Sequence, residues 1–229
     1  MNAASEQATP ENRLTGTNLR AVSALILAVP ALASVYFGPP WFTALVLIVA
    51  VIMGWEWSRM CGGNTLWLIF GAAYVSIPCG IIIWLRDDAT PGMITILWLF
   101  AVVWSADIAA FMFGRAIGGP KLAPRISPKK TWAGFIGGVG IASIVGGAFS
   151  FFWEGSPASL ALWACVVAIA SQAGDLLESY VKRHFGVKDS SQLIPGHGGV
   201  LDRVDALVAG AVAVAALKLL VGKSVMPWL

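Results

Sequence analysis

The chain has 229 residues, of which 58% are hydrophobic and only 12% are charged, and its mean hydropathy is +0.78. Soluble domains have about 25% charged residues, so the composition excludes an ordinary soluble protein and indicates an integral membrane protein. The formal net charge of +3 is too small to indicate binding to nucleic acid. The three cysteines show neither C-x-x-C nor Cys/His spacing, which argues against a disulfide framework or a zinc site.

Seven apolar segments follow a polar N-terminal tail. We expect residues 1–19 to form a tail without regular structure and residues 20–229 to form a single membrane domain, since a helix needs about 20 apolar residues to cross a bilayer. The predicted spans are 20–37, 41–60, 66–85, 92–114, 132–152, 158–178 and 204–222. No segment alternates as a membrane strand does. The predicted fold class is therefore all-α, a polytopic membrane protein with about seven transmembrane helices.

Lysine and arginine residues are concentrated on one side of the predicted membrane. If the N-terminus is cytoplasmic, the 115–130 and 182–203 segments both face the cytoplasm, whereas the opposite loops have only Arg86, next to Asp87 and Asp88. The positive-inside rule therefore predicts a multi-pass protein of the cytoplasmic (inner) membrane with a cytoplasmic N-terminus. The two charged segments then lie on the same face, where we expect an active site.

Five carboxylates lie on three of the predicted helices, toward this same face. Ionisable groups inside membrane spans are costly and are functional candidates by default. Carboxylate oxygens bind hard cations such as Mg²⁺, usually together with substrate phosphates. For Asp205 a second explanation stays open, because an acidic residue near a helix N-terminus is also favoured by the helix dipole alone. The five candidates are Asp107 on the fourth span, Asp175 and Glu178 on the sixth, and Asp202 and Asp205 at the start of the last.

A basic segment, Ser127-Pro128-Lys129-Lys130-Thr131-Trp132, is the second group of candidate residues. Its lysines supply positive charge, and its Ser and Thr hydroxyls can donate to phosphate oxygens. A loop that only sets the topology and attracts anionic headgroups would have the same lysines. No Walker-type or G-x-G-x-x-G motif is present, so a phosphate site here would be of another kind.

The stretch SYVKRHFGVKDSSQLIPGHGGVLDRVD, residues 179–205, closely resembles the signature of the phosphatidate cytidylyltransferases, or CDP-diacylglycerol synthases. That signature has S-x-x-K-R, four residues, K-D, a spacer, P-x-H-G-G, two residues and D-R-x-D, and every fixed position is present. The segments SQAGDLLESYVKR, SADIAAFMFGR and KLAPRISPKKTW are also similar to this family. The resemblance covers about residues 100–210.

The resemblance implies that CTP and phosphatidate are converted to CDP-diacylglycerol and pyrophosphate by a homodimer with Mg²⁺ and a monovalent cation such as K⁺. It implies that Asp175 and Asp202 bind the metal, and from their position Asp107, Glu178 and Asp205 are additional candidates. The catalytic residues implied are Asp175, Asp202, Lys130, Lys182 and Arg183. The substrate-binding residues implied are Ser127, Lys129, Lys130, Thr131, Ser179, Lys188, His197 and Arg203. His197 lies among glycines and by itself fits a tight turn better than a metal ligand.

Two departures from the family pattern leave alternatives open. Ala133 stands where the family usually has Glu, and Phe111 stands where Tyr is common. The first departure raises the alternative of a family member without activity. A CTP-dependent polyprenol kinase would release CDP and not pyrophosphate. A transporter would also use intramembrane carboxylates, but it would tend to show interrupted helices in two related halves, which this sequence does not.

Overall fold

The computed structural model describes residues 25–87, 89–194 and 198–221. The predicted N-terminal tail and His197 lie outside these ranges. The helices are α1 (Leu25–Phe37), α2 (Trp41–Met60), α3 (Thr65–Asp87), α4 (Ala89–Ala116), α5 (Trp132–Ala148), α6 (Pro157–His184) and α7 (Leu201–Val221). A 3₁₀ turn, Phe149–Phe151, extends α5. The strands are β1 (Lys121–Ala123) and β2 (Ser127–Thr131).

The helices coincide with the predicted spans to within a few residues at most ends. Among the described residues, α2, α3, α4, α5 with its 3₁₀ turn, and α6 are each long and apolar enough to cross a membrane. A helical, multi-pass membrane protein is therefore confirmed. The largest difference is at the end of α6, which continues to His184 and so includes Glu178 and Lys182 in one helix.

The outward faces of the helices expose large apolar side chains. Ile69, Ile108 and Ile144 are each more than 60% exposed, although they lie within long helices. In water such surfaces would be unfavourable, whereas a hydrocarbon environment accepts them. Most of the buried polar and charged side chains in the described residues lie between helices at one end of the bundle.

Close helix packing depends on glycine at the contacts, as is common between helices in membranes. A Cβ atom on Gly138 of α5 would lie 2.8 Å from the Ala106 carbonyl oxygen of α4 and 2.9 Å from Gln172 Nε2 of α6. A Cβ on Gly174 of α6 would collide with Ala209 of α7. These contacts bring α4, α5, α6 and α7 together, and these are the helices that bear the candidate site.

The connection between α4 and α5 contains a β-hairpin that the all-α prediction did not include. The strands β1 and β2 are antiparallel, with Lys121 opposite Thr131 and Ala123 opposite Ser127. Both strands are short, and β2 contains Pro128 and two lysines, so the sequence has no strand-like apolar alternation here. Thr131 ends the hairpin and is the N-cap of α5, where its Oγ1 accepts a hydrogen bond from Gly134 N at 3.1 Å.

The two ends of the bundle are formed by different elements and bear different charged residues. At one end, the buried Arg86 guanidinium donates to the Val35 carbonyl oxygen, from Nε at 2.9 Å and from Nη2 at 2.7 Å, and thereby joins α3 to α1. At this end Lys218 Nζ also lies 4.8 Å from the centre of the Trp84 ring. The C-terminal ends of α4 and α6, the N-terminal end of α7 and the hairpin lie at the other end.

Candidate active site

A cleft of about 580 Å³ lies at the hairpin end of the bundle. Residues from α4, the hairpin, α5, α6 and α7 line it. Its ionisable side chains are Asp107, Arg115, Lys129, Lys130, Asp175, Lys182, Asp189, Asp202, Arg203 and Asp205. The structure therefore brings together four of the five predicted carboxylates and four of the predicted basic residues. Glu178 is the carboxylate that does not line the cleft; it lies behind it and is fully buried.

The first ion pair in the cleft joins β2 to α6. Lys130 Nζ lies 2.5 Å from Asp175 Oδ2, and both side chains are partly exposed, at 25% and 30%. Ser179, one turn further along α6, has its Oγ 3.4 Å from Asp175 Oδ1. Both residues line the cleft, so this ion pair forms part of its wall.

The second ion pair joins α6 to α7 and is more deeply buried. Lys182 Nζ lies 2.5 Å from Asp202 Oδ1 and 2.7 Å from Glu178 Oε2. The side-chain exposures are 10% for Lys182, 4% for Asp202 and 0% for Glu178. Glu178 and Lys182 meet because they are four residues apart on α6. One ammonium group thus compensates two buried carboxylates, which would otherwise be costly in this environment.

The second oxygen of Asp202 organises the loop between α6 and α7. Asp202 Oδ2 accepts hydrogen bonds from Ser190 N at 2.9 Å, Ser190 Oγ at 3.0 Å and Gly199 N at 2.8 Å. Gly198 has φ +82°, and a Cβ there would lie 2.7 Å from Asp202 Oδ2. The paired glycines of the signature therefore allow the backbone to approach this carboxylate closely.

The remaining predicted residues are divided between the cleft and its surroundings. Lys129, Thr131 and Arg203 line the cleft. Arg183 does not; it donates to the Ile126 and Val187 carbonyl oxygens at 3.3 and 3.1 Å, which links the hairpin to the end of α6. Ser127 begins β2 and is not part of the lining. The roles implied for Arg183 and Ser127 stay predictions.

Lys188 lies in a second, separate cavity of about 750 Å³, between the end of α2 and the loop after α6. Arg59 and Trp55 of α2 also line this cavity, and the Arg59 guanidinium lies 5.0 Å from the centre of the Trp55 ring. Asp189 lines both cavities. Lys188 is thus placed beside the cleft and not within it.

Arg115 and Asp189, which line the cleft, were not among the predicted site residues, and neither were Gln172 and Glu56. Gln172 lines the cleft one turn before Asp175, and its Nε2 lies 3.4 Å from the Phe135 carbonyl oxygen. Glu56 lies in the second span, is fully buried, and accepts hydrogen bonds from the loop between α6 and α7. Both are polar groups inside apolar helices, and for Glu56 that position was a signal, since intramembrane carboxylates are functional candidates.

The carboxylates of the cleft are suited to a magnesium ion that would be bound partly by the protein and partly by the phosphates of a substrate. Among the described residues, no three His, Cys, Asp or Glu side chains form a ready metal cluster. Mg²⁺ is commonly bound by only one or two carboxylates, with phosphate oxygens and water completing its shell. Asp175 and Asp202 line one cleft from neighbouring helices. Asp175, at 30% exposure, can offer an oxygen to such a cation, whereas Asp202, at 4% exposure, would do so in exchange for its contact with Lys182.

Comparison with known proteins identifies the family. The model described as "Cytidylyltransferase family" matches residues 62–221, which is most of the chain and includes the cleft. The chain belongs to the cytidylyltransferase family. This match also includes the 100–210 stretch on which the sequence resemblance depends.

Relatives within the cytidylyltransferase family are named phosphatidate cytidylyltransferases. The protein of Brucella suis biovar 1 is 48% identical over 169 residues, which are 73% of this chain and 61% of the relative. The protein of Rickettsia bellii is 37% identical over 201 residues, or 84% of this chain and 87% of the relative. That of Rickettsia felis is 35% identical over 201 residues, or 84% and 88%. The match thus spans 61% of the length of the Brucella relative.

Proposed function

We propose that this protein is a phosphatidate cytidylyltransferase, which forms CDP-diacylglycerol and pyrophosphate from CTP and phosphatidate. The family membership and the names of its relatives support the reaction class. The observation that supports the proposal most strongly is the pairing of lysine with carboxylate at two points of one cleft, Lys130 with Asp175 and Lys182 with Asp202. Such a site offers negative ligands for a cation and positive ligands for phosphates within one cavity.

The reaction joins two substrates that repel one another. A phosphate oxygen of phosphatidate attacks the α-phosphorus of CTP, a new P–O bond forms, and the bond to pyrophosphate breaks. Phosphatidate is already an anion at neutral pH, so no residue has to remove a proton from it. The catalytic requirement is therefore positioning and electrostatic stabilisation, as in phosphoryl transfer generally.

The basic residues of the cleft supply that stabilisation. Lys129 and Arg203 line the cleft and are exposed to it, so they can bind phosphate oxygens directly. Lys130 is paired with Asp175 and lines the cleft, where its ammonium group can pair with a substrate phosphate instead. Lys182 holds Asp202 in place from behind. Ser179 supports Asp175 from the next turn of α6.

We propose Mg²⁺ as the divalent cofactor, held by Asp175 and Asp202, with Asp107 and Asp205 as the neighbouring carboxylates. When bound, it would supply positive charge to the phosphates of CTP and to the departing pyrophosphate. A monovalent cation such as K⁺ is proposed on the resemblance alone.

The apolar exterior supports a lipid substrate. The cleft lies at the end of the bundle where α4 ends, and Phe111 of α4 lines it and is 67% exposed. A phosphatidate molecule in the bilayer can then keep its acyl chains in lipid while its phosphate lies beside the charged residues. This placement would explain why the charged residues Asp202, Arg203 and Asp205 lie at the start of the hydrophobic helix α7.

We propose seven spans in the cytoplasmic membrane, with the N-terminus and the cleft on the cytoplasmic side. The positive residues of the hairpin and of the segment after α6 support this orientation, because they lie at one end of the bundle, while Arg86 and Lys218 lie at the other. A homodimer is proposed on the resemblance alone.

The test of the function is an assay of purified protein in liposomes that contain phosphatidate, with labelled CTP and Mg²⁺. The proposal predicts lipid-soluble CDP-diacylglycerol and pyrophosphate in equal amounts, and loss of both on chelation of the metal. In parallel liposomes that contain a polyprenol, release of CDP in place of pyrophosphate would identify a CTP-dependent kinase. Formation of neither product, in the wild type and in Ala133→Glu, would contradict an enzymatic role on this lipid.

A further inference from the structure

Glu56 occupies a position that the proposed chemistry does not use. It lies in α2, near its C-terminal end, and is fully buried. The family match begins at residue 62, so Glu56 lies outside the matched region. It nevertheless contacts the loop that belongs to the family signature.

Four donors surround the Glu56 carboxylate. Ser191 Oγ donates to Oε1 at 2.6 Å and Val200 N donates to Oε1 at 3.0 Å. Leu201 N donates to Oε2 at 2.7 Å, and Ser190 Oγ lies 3.2 Å from the same oxygen. A carboxylate has about four acceptor sites. Three of them accept from Ser191 Oγ, Val200 N and Leu201 N, and the Ser190 hydroxyl, whose single proton is shared between Glu56 and Asp202, lies at the fourth. An amide at this position would direct an N–H group at some of these donors.

Two of the four donors are backbone amides at the start of α7. The first amides of a helix have no partner within the helix, and α7 begins at Leu201. Glu56 therefore caps α7 from another helix, with its negative charge at the favourable end of the helix dipole. Asp202 follows Leu201 in this first turn of α7, so Glu56 also helps to fix the position of Asp202.

The Ser190 hydroxyl connects Glu56 to Asp202. Ser190 Oγ lies 3.2 Å from Glu56 Oε2 and 3.0 Å from Asp202 Oδ2, and Ser190 N donates to Asp202 Oδ2 at 2.9 Å. A Cβ at Gly199 would collide with Ser190 Oγ and with the Glu56 carboxylate. The two carboxylates thus share one tightly packed loop, although they belong to helices far apart in the chain.

We propose that Glu56 is a positioning residue for the active site: it holds Ser190, Ser191, Val200 and Leu201 in place, and through Ser190 it sets the orientation of Asp202 in the cleft. This inference rests on the proposed function, because it assigns Asp202 a role in that reaction. Outer residues that orient a metal-binding side chain typically change metal affinity or activity about ten- to hundredfold when they are replaced.

The first test compares Glu56→Gln with Glu154→Gln. Glu154 is exposed, in the loop between α5 and α6 at the opposite end of the bundle. Hydrogen–deuterium exchange of the substrate-free proteins measures the loop directly. We expect faster exchange at residues 190–194 and 198–203 in Glu56→Gln and wild-type exchange in Glu154→Gln. Unchanged exchange in Glu56→Gln would overturn the proposal, whether or not the protein has the proposed activity.

The second test measures turnover as a function of Mg²⁺ concentration. For Glu56→Gln we expect a lower kcat and about a tenfold or greater rise in the Mg²⁺ concentration for half-maximal rate, with an unchanged KM for phosphatidate. A purely structural role would lower the amount of active protein but leave the Mg²⁺ dependence of the remainder unchanged, and that result would overturn the proposal.

A milder variant, Ser191→Ala, keeps the tests interpretable if Glu56→Gln does not fold. Ser191→Ala removes one donor to Glu56 and leaves Asp202 untouched. We expect it to shift loop exchange and the Mg²⁺ dependence in the same direction as Glu56→Gln, but by less; wild-type values for both would overturn the proposal. If the wild type itself forms no CDP-diacylglycerol, the proposed function fails, while the exchange comparison still decides whether Glu56 holds the loop.

Discussion

Lys182 Nζ lies 2.5 Å from Asp202 Oδ1, and this contact joins the end of α6 to the first turn of α7. The same ammonium group lies 2.7 Å from Glu178 Oε2. One lysine therefore compensates both a carboxylate that faces the cleft and a carboxylate buried behind it. The cleft is charged on its surface and also in the layer beneath it.

Replacing Lys182 with methionine would leave two buried carboxylates without their counter-charge. Removal of one partner from a buried ion pair costs about 3–5 kcal/mol, so we expect a clear fall in the thermal unfolding midpoint in detergent. The double variant Lys182→Met/Glu178→Gln should recover part of that loss, because it removes one of the two uncompensated charges, but it should not recover activity. An unfolding midpoint equal to wild type in the single variant would contradict this account.

Lys129 is expected to bind a substrate phosphate. It is exposed and lines the cleft, and a hydrogen bond to a charged group contributes about 1.5–3 kcal/mol. Lys129→Gln should therefore raise the KM for CTP or phosphatidate by about tenfold or more, with little change in thermal stability. The matched control is Lys121→Gln on the paired strand, outside the cleft lining. Equal KM values in the two variants would refute the assignment.

Ala133→Glu is expected to raise activity. Ala133 is the second residue of α5, directly after the Thr131 N-cap and Trp132. An acidic side chain at a helix N-terminus is favourable, so the fold should accept the change, and the added carboxylate restores the residue that is usual in the family. Turnover at limiting Mg²⁺ measures the effect. A fall in turnover would show that this chain does not use the missing carboxylate.

Gly138→Ala tests the packing that positions Asp107 and Asp175. A Cβ at residue 138 would lie 2.8 Å from the Ala106 carbonyl oxygen and 2.9 Å from Gln172 Nε2, so α5 must move away from α4 and α6. Overpacking of this kind costs about 1–3 kcal/mol, which thermal unfolding can detect. Gly140→Ala is the control, because a Cβ there meets nothing within 4 Å. If both variants unfold at the wild-type temperature, the close packing of α5 is not a source of stability.

The sequence predicted the helices well because each span is a long apolar segment bounded by Gly, Pro or charged residues. It also placed Asp107, Asp175, Asp202 and Asp205 at one end of the bundle, since the length and direction of each helix determine how deep in the membrane each of its residues lies. These four carboxylates do line one cleft.

Contacts between distant parts of the chain could not be predicted in this way. Glu56 and Leu201 are 145 residues apart in sequence, yet the carboxylate accepts a hydrogen bond from Leu201 N at 2.7 Å. Periodicity describes each helix alone and contains no information on which helix is its neighbour.

The hairpin was missed for a local reason: β2 is stabilised by pairing with β1 and has no apolar pattern of its own. Lys188 was grouped with the cleft because the signature contains it. The loop after α6 instead places it in the lining of a separate cavity.

The measurement that tests the central claim most directly is the rate of CDP-diacylglycerol and pyrophosphate formation by Asp175→Asn, compared with wild type and with Asp87→Asn. Asp175 lies in the cleft and is paired with Lys130, whereas Asp87 is exposed at the far end of α3, so the two variants have the same chemical change in different places. If the cleft performs nucleotidyl transfer, Asp175→Asn forms neither product and Asp87→Asn forms both at the wild-type rate. Wild-type rates of both products in Asp175→Asn would contradict the account.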